Sequence, residues 1–362
     1  MSKFISKRFD ILKAYVPGEQ PQNRKYIKLN TNESPFPPSP KVIEAISKEE
    51  VSSLMLYPDP TVSSLTKAAA KHFGISEDEI VFGNGSDEIL AFSFLAFSDK
   101  TPGVCYPDIS YGFYEVYADL YGYEKDAVPL GEDFSVVPKD YYNKGKTIFI
   151  ANPNAPTGLA LSLSEIEDIL NHNKNNLVVI DEAYADFGKE SAVSLIHKYN
   201  NLLVVQTFSK SRNLAGARLG MAIGNSELIS DLKKIKFSFN PYSINRLTLL
   251  AGTEAIEDNE YFNKCVKEIK ENRGFTTKEL EKLGFTVLPS HTNFIFAKHE
   301  NISGEEMYEK LKENGILIRH FKKERIKDFI RITIGSKEEM KTFVDTVSKI
   351  VKETNYDLSI EK

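Results

Sequence analysis

Short apolar runs alternate with amphipathic helical stretches between about residues 61 and 240. The runs EIVFG, TPGVCYP, KTIFIANP, LVVI, NLLVVQTFS and LGMAIG predict strands, and segments such as SDEILAFSFLAF and SLSEIEDILNHN predict the helices between them. Strands that are apolar along their whole length are buried on both faces. The alternation therefore predicts an α/β domain in which helices cover both faces of a mainly parallel sheet.

Both ends of the chain depart from this alternation. Residues 1–40 are rich in Pro and Asn, which predicts an extended arm with little regular structure. Because a folded monomer would gain little from such an arm, we expect it to pack on a smaller domain and on a partner subunit. After a charged amphipathic segment at about 243–283, the runs TVLPSHTNFIFAK, ILIRHF and FIRITIG are typical of a small α+β domain. We thus predict an arm at 1–40, a large cofactor-binding domain at 41–245 and a small C-terminal domain at 246–362.

Composition and charge narrow the classes of partner. The 362 residues carry a net charge of −5, and the Lys and Arg residues are dispersed, so we expect neither nucleic acid nor a membrane as a partner. Cys105 and Cys265 are isolated and match no disulfide or metal spacing, which indicates a reducing compartment. The chain shows no apolar run long enough to span a bilayer and starts without a secretory segment. We expect a cytoplasmic protein without a metal site.

Ionisable side chains follow two of the predicted strands. LVVI ends at Asp181, with Tyr184 shortly after it, and NLLVVQTFS leads into Lys210. Open α/β sheets bind ligands at the carboxyl ends of their strands. Taken alone, these residues are also explained as a helix cap, a half-buried aromatic and a solvated lysine. With Arg218 they form the amine, carboxylate, phenol and guanidinium set that can hold pyridoxal phosphate (PLP) through a Schiff base.

A glycine-rich turn, GNGSDEIL, begins the helix predicted after EIVFG. Exposed backbone N–H groups and the helix dipole make such a turn a phosphate site, although an ordinary Ser-capped turn explains it when taken alone. The expected contacts are Gly85, Ser86 and Asp87. Ser209 and Arg218 could complete the same site, because arginine binds phosphate in a bidentate manner.

Four further side chains are candidates for ligand contacts. The two prolines of ANPNAPTG fix the loop and so orient Asn154. Tyr111 in YPDISYG could stack on a flat cofactor ring or pack in the core. Arg331 lies within the apolar run FIRITIG, where an unpaired charge is costly, so we expect it to bind an anionic substrate group. Arg319 in ILIRH is either a second such residue or a solvated edge residue.

These motifs resemble those of the fold-type I PLP-dependent aminotransferases and, within them, of the histidinol-phosphate subgroup. The likeness extends from YVPGE to ITIGS and is carried by LNTNESPFPPSP, YPDP, GNGSDE, YPDISYG, NPNAPTG, VVIDEAYADF, TFSKSRNLAGARLG and HTNFIFA. FSKS with GARLG is specific for the fold type, whereas NESPFPPSP, YPDP and IRITIG point less exclusively to the subgroup. The resemblance implies an α/β fold with a mostly parallel seven-stranded sheet in the large domain and a smaller α+β domain.

The resemblance implies that the cofactor is pyridoxal 5'-phosphate and gives each matching residue a role. Lys210 would bind the cofactor and move the proton, Asp181 would pair with the pyridine nitrogen, and Tyr184 would donate to the ring oxygen. Tyr111 would stack on the ring. The phosphate cradle would consist of Gly85, Ser86, Asp87, Ser209 and Arg218.

The substrate and the partner subunit are implied in the same way. Arg331 would bind a carboxylate, and the other substrate-binding residues would be Tyr15, Asn32 and Arg319. Tyr57, in YPDP, would cross the interface of a homodimer to the cofactor phosphate. One position departs from the family, because Ala155 stands where an Asn usually bonds the ring oxygen. Asn154 would reach instead, or Tyr184 would act alone.

The activity that this implies is amino-group transfer between histidinol phosphate and 2-oxoglutarate, a step of histidine biosynthesis. An aromatic amino-acid aminotransferase or a threonine-phosphate decarboxylase would share the same cofactor set. A non-catalytic nucleotide-binding module is a further alternative, but the chain has no G-x-G-x-x-G opening the first βαβ unit and no G-x-x-x-x-G-K-[ST].

Overall fold

The computed structural model describes residues 5–6, 9, 12–46, 51–99, 102–188 and 190–360. The strands are β1 (Ile27–Lys28), β2 (Ile80–Gly83), β3 (Val104–Pro107), β4 (Lys125–Val128), β5 (Thr147–Ala151), β6 (Val178–Asp181), β7 (Leu202–Thr207), β8 (Gly220–Gly224), β9 (Phe285–Val287), β10 (Phe294–His299), β11 (Ile316–Leu317), β12 (Arg319–His320) and β13 (Ile330–Thr333). The α-helices are α1 (Pro40–Ala45), α2 (Ser63–Phe73), α3 (Gly85–Phe97), α4 (Phe113–Tyr121), α5 (Leu163–Asn171), α6 (Ser226–Phe239), α7 (Arg246–Glu257), α8 (Asn259–Lys282), α9 (Gly304–Glu313) and α10 (Lys337–Ile360).

The largest sheet has seven strands in the order β2-β8-β7-β6-β5-β3-β4. Its strands are parallel except for β8, which runs antiparallel to both β2 and β7. This confirms the mostly parallel seven-stranded sheet. Six of the strands follow from the apolar runs. The seventh, β4, has the sequence KDAV and lies at the sheet edge, where solvent reaches most of its side chains and no apolar run is needed.

The sheet is buried on both faces because successive side chains of a strand point in opposite directions. In β5, Ile148 and Ile150 belong to one hydrophobic cluster, whereas Phe149 and Ala151 belong to the cluster on the other side. All five residues of this strand are buried. Helices therefore cover both faces, and in the central strands polar side chains occur mainly where the strands end.

The C-terminal part has its own core. An antiparallel sheet in the order β12-β13-β10-β9 packs with α8, α9 and α10 around buried residues such as Ile295, Ile332 and Phe343. The arm joins this core, because β1 pairs in parallel with β11 and Leu29 is buried among the same residues. The predicted contact between the arm and the smaller domain is thus seen over residues 27–29. The first residues of the predicted arm, 1–4, lie outside the described part.

The charged segment predicted at 243–283 is two helices, α7 and α8, that meet at Asp258. The Asp258 carboxylate accepts hydrogen bonds from the Ser39 hydroxyl and the Tyr261 backbone N–H. Buried residues of α7, including Leu249 and Ile256, belong to the cluster beneath the seven-stranded sheet. The change of core therefore falls at α8, about a dozen residues after the boundary predicted at 246. Among the described residues, we find no helix with the length and apolarity to cross a membrane.

Candidate active site

A cavity of about 330 Å³ opens at the carboxyl edge of the seven-stranded sheet. Asp181 is the last residue of β6, Lys210 follows β7, and Arg218 precedes β8. The start of α3 closes the cavity from the side. The structure brings together eight of the residues that the sequence indicated, and these line the cavity: Ser86, Asp87, Tyr111, Asp181, Tyr184, Ser209, Lys210 and Arg218.

The Lys210 amine is partly buried in this cavity. Its Nζ lies 3.4 Å from the Thr31 carbonyl oxygen, to which it donates, and 5.9 Å from the centre of the Tyr184 ring. Burial, and then the nearby Arg331 guanidinium, lower the pKa of the Lys210 amine to about 8. Near neutral pH the uncharged amine, which is the form that attacks an aldehyde, is therefore much more abundant than in a surface lysine.

The Asp181 carboxylate is buried at the cavity floor, with 4% of its surface exposed. Its Oδ2 accepts a 2.8 Å hydrogen bond from the Tyr114 hydroxyl, and its Oδ1 accepts a 3.3 Å bond from the Ala183 N–H. Burial raises the pKa of the carboxyl to about 6. Tyr114 was not singled out from the sequence. The signal was available, since it lies one helical turn after Tyr111 at the start of an amphipathic helix.

A second buried carboxylate, Glu182, follows Asp181 and was also missed. It accepts hydrogen bonds from the Ser191 hydroxyl, the Ala192 N–H and the Gln206 amide. Burial raises the pKa of Glu182 to about 7. These bonds join the end of β6 to β7 and to the loop after Tyr184, so Glu182 holds together the segments that carry the site.

The Tyr184 hydroxyl is oriented by the N-terminal arm. Asn32 donates from Nδ2 to the Tyr184 hydroxyl at 2.8 Å, and its Oδ1 accepts from the Thr333 hydroxyl at 3.1 Å. The Asn293 side chain also donates to the Asn32 carbonyl oxygen. Because Asn32 occupies a lone pair of the phenol oxygen, the Tyr184 O–H is left to donate toward the cavity. Asn32 is fully buried and does not line the cavity itself.

The predicted phosphate cradle is assembled around the start of α3. Arg218 Nη2 lies 3.0 Å from Asp87 Oδ2, and Arg218 Nη1 lies 3.5 Å from Ser209 Oγ. The Tyr111 hydroxyl donates to the other Asp87 oxygen at 2.6 Å. Gly85 has a φ of +81°, and a Cβ there would lie 2.5 Å from Arg218 Nη2. Glycine is therefore required at this position both by backbone conformation and by the close approach of the guanidinium.

The assignment of Asn154 to a cofactor ring needs correction. Its amide nitrogen donates to the Ile109 carbonyl oxygen and to the Thr157 hydroxyl, and its oxygen accepts from the Ser110 hydroxyl. The side chain is buried within its own loop and does not line the cavity, where Ala155 presents only a methyl group. Both donor hydrogens of the Asn154 amide are thus used within the loop, so among these residues Tyr184 is the candidate donor to a ring oxygen.

The two C-terminal arginines lie opposite each other on neighbouring strands. Arg319 on β12 is the register partner of Arg331 on β13. Arg331 Nη2 donates to the Asn30 carbonyl oxygen at 3.1 Å, while its Nε has no hydrogen-bond partner among the residues described. Burial lowers the pKa of Arg331. Arg319 instead lines a neighbouring cavity of about 740 Å³ between the arm and α9.

Two of the predicted tyrosines lie apart from the cavity. Tyr15 stacks on Phe113 with ring centres 4.2 Å apart, and Phe113 in turn packs beside Tyr111. Tyr57 is 78% exposed and stacks on Tyr242 at 4.6 Å. Within a single chain, therefore, Tyr57 does not contribute to the site.

The cavity fits pyridoxal phosphate in charge and in the chemistry of its donors. Arg218, Ser209 and the N–H groups at the start of α3 match a phosphate, and the Asp181 carboxylate matches a protonated pyridine nitrogen. The uncharged form of the Lys210 amine is the nucleophile that can react with the aldehyde. Metal binding has no comparable support, since in the described part of the chain His, Cys, Asp and Glu form no group of three or more that could hold an ion.

Comparison with known proteins agrees with this chemistry. Residues 24–347 match the family model described as aminotransferase class I and II. A histidinol-phosphate aminotransferase of Brachyspira hyodysenteriae is 53% identical over 353 residues, which are 97% of this chain and 100% of that protein. One of Clostridium botulinum (strain Okra / Type B1) is 50% identical over 351 residues, covering 97% and 99%.

Solved structures agree in fold. The histidinol-phosphate aminotransferase of Clostridium acetobutylicum matches with a TM-score of 0.83 and 26% identity, covering 90% of this chain and 99% of that one. That of Sinorhizobium meliloti, solved with pyridoxal-5'-phosphate, matches with a TM-score of 0.88 and 23% identity over 98% and 99% of the two chains. The chain belongs to the class I and II aminotransferases.

Proposed function

We propose that this enzyme uses pyridoxal phosphate to transfer an amino group between histidinol phosphate and 2-oxoglutarate, yielding imidazole acetol phosphate and glutamate. The pairing of Arg319 with Arg331, whose guanidinium lies close enough to lower the pKa of the Lys210 amine, carries the proposal. The chain that carries this arginine pair is about half identical, over nearly its full length, to proteins named histidinol-phosphate aminotransferase.

The Lys210 amine has two roles in this proposal. Its uncharged Nζ would hold the cofactor at the aldehyde, and when free, the same nitrogen would take the proton from the substrate carbon that bears the amine. When bound, the cofactor withdraws electrons from that carbon. Asp181 holds the positive charge at the ring nitrogen, and Tyr184 donates to the ring oxygen.

The phosphate and the ring are held by groups that are already in place. Arg218 is hydrogen-bonded to Ser209 and to Asp87 at the start of α3, so these groups would hold the phosphate there. Tyr111 lies against the cavity, with its hydroxyl fixed by Asp87, and stacks on the ring. Burial keeps the pKa of Tyr111 well above its usual value, so this tyrosine remains a neutral stacking partner.

The two half-reactions present different anions to the same arginines. Histidinol phosphate carries a phosphate, whereas glutamate carries carboxylates, and guanidinium groups bind both in a bidentate manner. Arg331 has an unsatisfied Nε and lies near Lys210 and Tyr184, so it takes the anion of each substrate. Arg319, Tyr15 and the neighbouring cavity under the arm accommodate the longer phosphate-bearing substrate.

A substrate comparison tests the proposal. Purified protein reconstituted with PLP is assayed with 2-oxoglutarate and histidinol phosphate, threonine phosphate or phenylalanine. We expect ping-pong kinetics and the highest kcat/KM with histidinol phosphate. Arg319→Ala should raise KM for histidinol phosphate, while Lys349→Ala, at an exposed position of α10 that lines neither cavity, serves as the control and should leave KM unchanged. Preferential turnover of phenylalanine, or carbon dioxide release from threonine phosphate, would point to the alternative activities.

We further propose a cytoplasmic homodimer in which Tyr57 of each chain reaches the cofactor phosphate of the other. The support is an exposed apolar surface around Tyr57: Leu54, Met55, Leu56 and Phe239 are between 51% and 86% exposed. Contiguous apolar surface of this kind is typical of protein interfaces. YPDP resembles the family motif whose tyrosine crosses the dimer interface, which supports a role for Tyr57 in the partner's site. The two isolated buried thiols agree with a reducing compartment.

A further inference from the structure

Among the residues described, the hydroxyl of Tyr114 is the one side-chain donor to the Asp181 carboxylate. Its oxygen lies 2.8 Å from Asp181 Oδ2, and the tyrosine has no exposed surface. Tyr114 lies on α4 beneath the sheet, with its ring in an aromatic cluster that includes Phe94, Phe149 and Tyr106. The bond therefore reaches the carboxylate from the side of the protein core, away from the cavity that Lys210 lines.

We infer that Tyr114 is a positioning residue whose hydroxyl keeps Asp181 ionised and oriented toward the cofactor ring. This inference rests on the proposed PLP chemistry, and it concerns the group that holds the ring nitrogen rather than the choice of substrate. A carboxylate can only accept, and its bond from a hydroxyl is stronger than the corresponding bond to a neutral carboxylic acid. The Tyr114 donor thus selects the charged form of Asp181 and fixes which oxygen is free to face the cavity.

The surroundings of Asp181 show why this donor matters. Burial is the largest influence on the carboxyl and raises its pKa to about 6, and the Asp87 charge at the start of α3 acts in the same direction. Opposing them are two hydrogen bonds, from Tyr114 on α4 and from the Ala183 N–H. Lys210, Tyr184 and Tyr111 line the same cavity. Without Tyr114, a carboxyl that titrates just below neutrality loses the larger of its two stabilising contacts.

Tyr114 is also suited to act only as a donor. Burial, and then the neighbouring Asp181 charge, hold the pKa of its phenol well above the usual value. Its proton therefore stays on the oxygen across the range in which Asp181 titrates. The main arrangement of the pair at neutral pH therefore has a proton on the phenol and the negative charge on the carboxylate.

The experiment compares Tyr114→Phe with Tyr106→Phe by following the pH titration of the Asp181 carboxyl. Tyr106 is a buried tyrosine of the same aromatic cluster, and Asp181 is not its hydrogen-bond partner. The carboxyl is observed by ¹³C NMR in the cofactor-free protein and assigned with Asp181→Asn. We expect the Asp181 pKa to rise by about one unit or more in Tyr114→Phe, because a hydrogen bond to the charged form is lost, and to stay at the wild-type value in Tyr106→Phe.

A second readout uses the loaded protein. In Tyr114→Phe the pH dependence of the bound cofactor's absorbance should shift and PLP should dissociate faster, whereas Tyr106→Phe should match the wild type. An unchanged Asp181 pKa in Tyr114→Phe would overturn the inference. Site-specific 3-fluorotyrosine at position 114 keeps the fold and makes the phenol a stronger donor, so it should lower the Asp181 pKa, and an increase there would equally overturn it. Because the titration needs no substrate, it stands even if histidinol phosphate proves not to be the donor.

Discussion

At the scale of single residues, the site depends on ionisation states that burial imposes. Lys210 is an amine deprived of solvent and placed near a guanidinium, so it loses its proton more readily than a surface lysine. Burial instead raises the pKa of Asp181 and of Tyr114, because the charged form of each is the deprotonated one. A lysine after a strand is visible in the sequence, but its pKa is set by neighbours such as Arg331 that lie far away along the chain.

The Lys210 amine predicts a pH dependence of cofactor capture. Only the uncharged amine attacks the aldehyde, so the rate of PLP binding by the cofactor-free protein should rise with pH and level off above about 8. An unperturbed lysine, with a pKa of about 10.4, would keep rising for roughly two further pH units. The rate is measured by rapid mixing and absorbance between pH 6 and about 10, a span that covers the levelling-off expected for Lys210 and the continued rise expected for an unperturbed lysine.

The controls for this experiment separate the protein from the cofactor. Reaction of PLP with Nα-acetyl-lysine under the same conditions corrects for the cofactor's own ionisations. Lys210→Ala should show no covalent capture and should lose transamination by at least about 10²-fold while retaining its fold, whereas Lys234→Ala, on the exposed face of α6, should behave as the wild type. A capture rate in the wild type that still climbs steadily above pH 9 would contradict the lowered pKa.

At the scale of elements, the site is a meeting of strand ends with one helix start. β6 and β7 run parallel and deliver Asp181 and Lys210 to the same edge, whereas β8 runs the other way, so Arg218 enters from the residues that precede it. Gly220 at the start of β8 allows the helix start to approach, because a Cβ there would lie 2.3 Å from the Ser86 backbone nitrogen. The phosphate cradle therefore depends on close packing between α3 and β8.

Two glycine substitutions separate backbone strain from damage to the cradle. Gly85 and Gly74 both have positive φ, but a Cβ at Gly85 would clash with Arg218 while one at Gly74 would meet nothing within 4 Å. Each change to Ala should lower the free energy of unfolding by about 1–2 kcal/mol through strain. Only Gly85→Ala should weaken PLP binding, by about ten- to a hundredfold, because a displaced guanidinium loses a charge-assisted hydrogen bond of about 1.5–3 kcal/mol.

Titrating each cofactor-free variant with PLP measures PLP binding, and melting it in the absence of PLP measures its stability, so the two quantities are obtained independently.

The elements themselves were predictable where they are apolar. The buried strands of the large sheet were predicted, whereas β4 and the two-residue strand β1 were not, because edge pairing needs no hydrophobic run. The break between α7 and α8 depends on Asp258 bonding Ser39, a distant residue of the arm.

At the scale of the whole molecule, the arm connects the two cores. Leu29 is buried in the C-terminal core, Asn32 bonds Tyr184 and Thr333, and Tyr15 stacks beside the cavity on Phe113. A movement of the C-terminal part would therefore shift Asn32 and, through its hydrogen bond, the Tyr184 hydroxyl. The arm's contacts explain how residues near the amino terminus act at a site built from residues 85–218.

The proposed exchange of Tyr57 between subunits predicts complementation. A heterodimer of Lys210→Ala and Tyr57→Ala chains contains one site with Lys210 from one chain and Tyr57 from its partner. If Tyr57 acts across the interface, that site is intact, and the purified heterodimer should recover up to about half of the wild-type activity per dimer, since one of two sites is complete. Differently tagged chains allow the heterodimer to be isolated and assayed beside both parent homodimers.

A heterodimer no more active than the sum of its parents would place Tyr57 in the site of its own chain or outside any site. A protein that remains monomeric at all concentrations would rule out the exchange altogether. The 78% exposure of Tyr57 makes the single-chain alternative unfavourable, because nothing in the described part of the chain carries this side chain to the cavity.

The amino-acid sequence by itself determined the class of fold and the chemistry of the cavity. Apolar periodicity identifies buried strands, and the carboxyl ends of parallel strands meet at one edge, so the pattern alone places Asp181, Lys210 and the GNGSDE turn together. Tertiary structure alone decided what surrounds them. Tyr114 under Asp181, Asn32 behind Tyr184, and the turning of Asn154 into its own loop depend on side-chain contacts between segments distant in sequence, and no local pattern encodes which donor meets which acceptor.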